Sequence, residues 1–129
     1  MQLELKADLP YATVTSAYRG TGIEVSDVLL DTGSASTMFA ADVVAAVGIS
    51  PEVDDELRVL RGVGGTEVVF ARQVDRVQVG SRSIDQFVIE VGGMDYGFEI
   101  NGILGMDFLR GTGAIIDLAD LALDFSDGE

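Results

Sequence analysis

Leu29-Leu30-Asp31-Thr32-Gly33-Ser34-Ala35-Ser36-Thr37 is the stretch on which the reading of this chain turns. An apolar segment ends at one acid, the chain turns, and a run of small residues follows. An Asp-Thr-Gly turn is ordinary by itself, because Asp and Gly both favour turn conformations. The rest of the chain makes this acid worth following, for it holds no histidine and no cysteine. Imidazole-based triads, disulfides and thiolate metal sites are thereby excluded, and acid–base chemistry falls to carboxylates. No metal and no cofactor is expected.

At 129 residues the chain fits one domain that buries roughly two-thirds of its unfolded surface. A hydrophobic content of 47% argues against disorder. No apolar run approaches the about 20 residues that span a bilayer. The start, "MQLELKADLPY", lacks the basic beginning and apolar centre of a signal peptide, so the expected location is cytoplasmic. A net charge of −14 repels nucleic acid and anionic membrane surfaces, and neither is an expected partner.

Alternating β-branched runs separated by glycines indicate strands joined by tight turns. "YATVTSAYR" and "IEVSDVLLD" form one hairpin around "GTG", the second strand ending at Asp31. "MFAADVVAAVG" has helical spacing and a glycine stop at Gly48. "ELRVLRGVGGTEVVFARQV" reads as two strands about a glycine-rich tip, and "VDRVQVGSRSIDQFVIEV" as a hairpin across Gly80 and Ser81. "NGILG" is a short apolar strand, "MDFLRG" one or two helical turns, and "AIIDL" with "LALDF" a closing hairpin. The expected class is mostly β with two short helices.

Three features follow one another in order: the Asp31-Thr32-Gly33-Ser34 turn, the hairpin tip Gly62-Val63-Gly64-Gly65, and Ile103-Leu104-Gly105 leading into a short helix. Together, from about Tyr11 to Phe125, they resemble the retropepsin family of aspartic proteases, the single-domain relatives of pepsin. The ending "NGILGMDFLRGTGAIIDLADLALDF" is closer to cellular and prokaryotic retropepsin-like domains than to viral ones. The resemblance implies a closed-barrel-like, mostly β fold with a flap hairpin, built as one domain over residues 1–129.

The chemistry beneath the resemblance stands on its own. Hydrolysing a peptide without metal, thiol or imidazole requires one group to deprotonate water and another to protonate the leaving amine. Two adjacent carboxylates sharing one proton do both, because like charges that close do not both ionise. They titrate as a coupled pair, giving an acidic, bell-shaped activity profile. The sequence contains one Asp-Thr-Gly and no Asp-Ser-Gly. A two-fold homodimer with Asp31 near its axis would supply the second acid from an identical chain.

By resemblance, Asp31 is the catalytic acid, and the Thr32 hydroxyl bonds across the dimer axis. Gly33 lets backbone approach both carboxylate and substrate. Ser34 either hydrogen-bonds the outer oxygen of Asp31 or caps the turn. Gly62, Val63 and Gly64 form a flap that closes over a peptide and excludes water. The pocket walls implied are Leu29, Ala35, Ser36, Thr37, Leu60, Ile100, Asn101 and Ile103. They fit extended peptides or protein segments with hydrophobic residues around the cleaved bond, held largely by main-chain hydrogen bonds. The competing reading is a weak or inactive peptide-binding or dimerisation domain with the same fold. In viral members an acid soon after the Ser34 position pairs with an arginine after the Ile-Leu-Gly glycine. Ala35 and Met106 occupy those places here, so that ion pair is missing. Asp107 reads as a helix-start residue, favourable to the helix dipole.

Overall fold

The computed structural model describes residues 1–62, 65–94 and 99–126. The first hairpin is β2 (Leu9–Tyr18) and β3 (Thr21–Leu30), preceded by the short β1 (Glu4–Lys6). Its turn is tighter than "GTG" suggests. Arg19 (φ 49°) and Gly20 (φ 83°) alone make the reversal, the paired positive-φ geometry that matches the twist of a two-residue hairpin. A second hairpin joins β5 (Glu56–Gly62) to β6 (Gly65–Val79), and a third joins β6 to β7 (Arg82–Gly92). The strand shared by these two hairpins is thus continuous over 15 residues.

Six strands close into a ring. β2 pairs β3, and β3 runs parallel to β8 (Gly102–Leu104). β8 pairs β4 (Met38–Ala40), which runs parallel to β7. β7 pairs β6, and the far end of β6 returns to β2 through Thr15–Gln78, Ser16–Val77 and Ala17–Arg76. This is the mostly β, barrel-like fold expected from the sequence. β1 and β5 lie outside the ring as extensions of β2 and β6.

One expected element is different. Helical spacing over "MFAADVVAAVG" predicts a helix beginning at Met38, whereas Met38–Ala40 is a strand. Met38, Phe39 and Ala40 are all buried, because β4 fills the gap between β7 and β8 and so completes the ring. Helix α1 begins only at Ala41, runs to Val44 and tightens into a 3₁₀ turn over Ala45–Val47. Gly48, at φ 86°, ends it as expected.

The ring interior holds Val14, Val25, Val28, Phe39, Val74 and Val77, each essentially inaccessible to solvent. Helix α2 (Met106–Gly111) plugs one end through Phe108, whose ring meets Phe87 edge-on at 5.9 Å. Strands β9 (Ala114–Asp117) and β10 (Ala122–Phe125) form a separate two-stranded sheet beyond α2.

Two arginines anchor the root of the β5–β6 hairpin. Arg58 on β5 donates to Glu90 of β7 and to Glu56, each at 3.1 Å. These acids, Glu56 foremost, raise the affinity of the guanidinium for its proton. Arg72 on β6 donates two hydrogen bonds to Asp55 (3.0 and 2.7 Å). It also donates to Ser50 O at 2.8 Å and to Tyr18 Oη at 3.0 Å. The loop ahead of the hairpin is thereby tied to the ring.

The hydrogen bond from Arg72 holds the Asp55 carboxyl below its ordinary value of 3.8. A carboxylate whose pKa is depressed on folding contributes stability above its unfolded pKa and loses it as pH falls through the folded one. Arg72→Met should therefore lower the melting temperature most at pH 7, with the deficit shrinking below about pH 4. Calorimetry at pH 7 and pH 3 checks this; a deficit equal at both would contradict it.

Candidate active site

Asp31 sits where β3 ends. Its N–H donates to Leu104 O at 3.0 Å, extending the parallel β3–β8 ladder by one bond. The chain then turns: Ser34 N–H donates to Asp31 O at 3.1 Å, and Gly33 N–H to Asp31 Oδ1 at 2.9 Å. The carboxylate is half-buried, while Thr32 and Gly33 are exposed. A Cβ at Gly33 would stand 3.2 Å from Asp31 Oδ1, so a side chain there would crowd the acid.

The loop after Asp31 is fastened along its length to the start of α2. Met106 N–H donates to Ser34 O at 2.8 Å and Asp107 N–H to Ala35 O at 3.2 Å. Loop carbonyls thus satisfy helix-start N–H groups that have no partner within the helix. Asp107 carries more of the site than its expected role at a helix start. Its carboxylate accepts from Thr37 N (3.1 Å), Thr37 Oγ1 (2.8 Å) and Phe108 N (2.7 Å). Thr37 Oγ1 in turn accepts the Gly105 N–H at 3.1 Å. Hydrogen bonds centred on a charged carboxylate therefore hold the loop on a chain whose Ala35 and Met106 cannot form an ion pair.

The sequence signal for this role was the acid two residues after Gly105. Its partner lies 70 residues away, which no local pattern reveals. Thr37→Val and Asp107→Asn should each destabilise the protein by about 1–3 kcal/mol, since each strands a hydrogen-bonding group. Both changes break one network, so the double variant should cost less than the sum, with about 0.5–3 kcal/mol of coupling. Urea denaturation of the four proteins measures this, and strictly additive losses would contradict the network.

Gly105 faces the same loop. A Cβ there would lie 2.3 Å from Ser36 O and 3.0 Å from Ser34 O. The glycine of Ile103-Leu104-Gly105 is required because the backbone following Asp31 passes directly over it.

The expected site residues separate into groups. Leu29, Leu60, Ile100 and Ile103 come together in one apolar cluster with Tyr11, Met38, Val69 and Met94. Leu29 pairs Ile103 in the ladder, which fixes their adjacency. The sequence reading missed Tyr11, Met38, Val69 and Met94. Ser36 is half-buried and Ala35 exposed beside the turn.

Thr37 is fully buried, with its hydroxyl committed to Asp107 and Gly105. Ser34 Oγ donates to Ser36 O at 2.8 Å, the turn-capping arrangement. The side chain of Asn101 is turned to Ser26 O at 2.9 Å, while its backbone binds Asp27 O and Ala40 N. Gly62 pairs Gly65 at the end of the hairpin; Val63 and Gly64 lie outside the described residues.

A half-exposed carboxylate on a fastened turn, at the end of a strand whose Leu29 packs in an apolar cluster, suits acid–base work on an extended chain. No helix among the described residues is long and apolar enough to cross a membrane. A search of curated proteins gave no match. The sequence profile of the aspartyl protease family matches residues 15–108, a span that takes in the Asp31 turn, the β5–β6 hairpin and Ile103-Leu104-Gly105. The chain belongs to this retropepsin-like family of aspartyl proteases.

Proposed function

We propose that the protein, as one domain over residues 1–129, is a homodimeric aspartic endopeptidase. Asp31 of each chain forms half of a dyad that activates water and protonates the leaving amine. The observation that supports this most strongly is the single Asp31-Thr32-Gly33 turn, exposed at Thr32 and Gly33, in a member of an acid-protease family. Thr32 bonds its copy across the axis, and Gly33 leaves room for substrate backbone. The flap at Gly62, Val63 and Gly64 closes over the peptide.

Leu29, Leu60, Ile100 and Ile103 favour apolar residues on either side of the cut, and Ser34, Ala35, Ser36 and Asn101 line the approach. The hydrophobic cluster containing those four supports this preference. A mixed peptide library, read by mass spectrometry, tests the specificity. Cuts between apolar residues are expected; cuts confined to charged sites, or none, would overturn it. A peptide bound tightly and released uncut would favour the inactive binding domain instead.

A further inference from the structure

The β5–β6 hairpin has two faces of different character. Cross-strand partners in an antiparallel pair share a face, and successive residues alternate between faces. Leu57, Val59 and Val68 lie on one face and are exposed, Val59 to 57% and Val68 to 61%. On the other face Arg58 pairs Val69, and Leu60 pairs Glu67. Val69 is 1% exposed and joins Leu60 in the apolar cluster that also holds Leu29 and Ile103. This second face is therefore the one turned to the cluster, and it carries an acid, Glu67.

The Glu67 carboxylate is folded onto the end of β7. Its Oε1 stands 3.4 Å from where a Cβ on Gly92 would lie, and its Oε2 3.9 Å from one on Gly93. Val69 Cγ1 and Met38 Sδ approach the same Gly92 position to 2.9 and 3.0 Å. The acid thus rests half-buried at the margin of the cluster, against two residues without side chains. Among the described residues no cation is paired with it. Arg58, on the same face, is committed to Glu56 and Glu90. A half-buried carboxylate has given up hydration, which a cation can make good. Lysine and arginine suit such a place, because the aliphatic stem lies on apolar surface while the head stays with polar groups.

We propose that Glu67 selects substrates carrying a lysine or arginine near the cut, in addition to the apolar residues that flank it. The inference rests on the peptide cleft of the proposed function. Leu29, two residues ahead of Asp31, and Leu60, the partner of Glu67, belong to one cluster. A peptide seated on that cluster passes within a side chain's length of Glu67. Side chains on one side of an extended chain recur about every 7 Å, and cross-strand partners stand about 5 Å apart. A base about two residues from an apolar residue seated on Leu60 thus reaches the carboxylate. The net charge of −14 draws basic peptides to the whole surface, whereas Glu67 senses where along the peptide the base sits.

Two peptides of equal net charge separate these effects. Both carry one apolar pair to be cut; one has its lysine about two residues from that pair, the other at its far end. Wild type should cleave the first with a kcat/KM about tenfold higher. Glu67→Gln should bring the two rates together. Glu67→Lys should invert their order, a reversal that a loss of packing does not produce. Equal rates in wild type, or an advantage that survives in Glu67→Gln, would overturn the role of Glu67 and leave the protease reading standing. If wild type cuts neither peptide, the protease reading fails, and fluorescence anisotropy with the same pair decides the inference. A preference for the first peptide in wild type that is lost in Glu67→Gln upholds it; equal capture of both peptides by wild type, or a preference kept in Glu67→Gln, overturns it.

Discussion

Asp31→Asn is expected to reduce peptide cleavage by about 10⁴-fold or more while leaving the fold intact. The amide keeps the size of the carboxylate and can still accept the Gly33 N–H seen at 2.9 Å, so the turn has no reason to collapse. What is lost is the ability to take a proton from water. In the proposed dimer both acids would disappear together, because both chains carry the same substitution. Melting temperature within a few degrees of wild type, together with lost turnover, separates a chemical role from a structural one. Equal cleavage by the two proteins would remove Asp31 from the mechanism.

The second large effect is expected at Gly105, which packs against the backbone of the loop after Asp31. In Gly105→Ala the new Cβ would stand 2.3 Å from Ser36 O and 2.5 Å from Ser36 C. These are backbone atoms, and the loop they belong to is fastened at Asp31, Ser34 and Ala35. Relief therefore requires moving the whole turn. Overpacking of this kind costs about 1–3 kcal/mol. A displacement near 1 Å at a reacting group costs about 10²-fold in rate. Gly105→Ala should therefore show both a lower melting temperature and a hundredfold-scale loss of kcat/KM, about 10². Gly22→Ala is the control, since its Cβ would meet Ser16 O at an ordinary 3.9 Å. A Gly105→Ala protein as active and stable as the Gly22→Ala one would contradict the packing account.

Most of the barrel could be read from local pattern, because hairpins announce themselves. Strands alternate, and Gly20, Gly48 and Gly80 mark turns where positive φ is needed. Contacts distant in sequence could not be read. Met38–Ala40 looks helical alone and becomes a strand because β7 and β8, more than 50 residues on, offer two ladder partners. The return of β6 to β2 that closes the ring is of the same kind.

At the site, the order of the three motifs pointed to Asp31, and the family match extends across all of them. The support beneath it was hidden. Asp107 looks like any acid at a helix start until Thr37 is seen folded onto it. Thr37, small and hydroxyl-bearing within a polar run, reads as a surface residue although it is fully buried.

The central claim is that each active site needs Asp31 from two chains. It is tested most directly by refolding a fixed amount of wild type with increasing Asp31→Asn chain and measuring peptide cleavage. Random pairing places wild-type chains in mixed, one-acid dimers, so a ninefold excess of variant should lower the activity about tenfold. Activity that stays at the wild-type level across the titration would mean that one chain suffices, and would contradict the account.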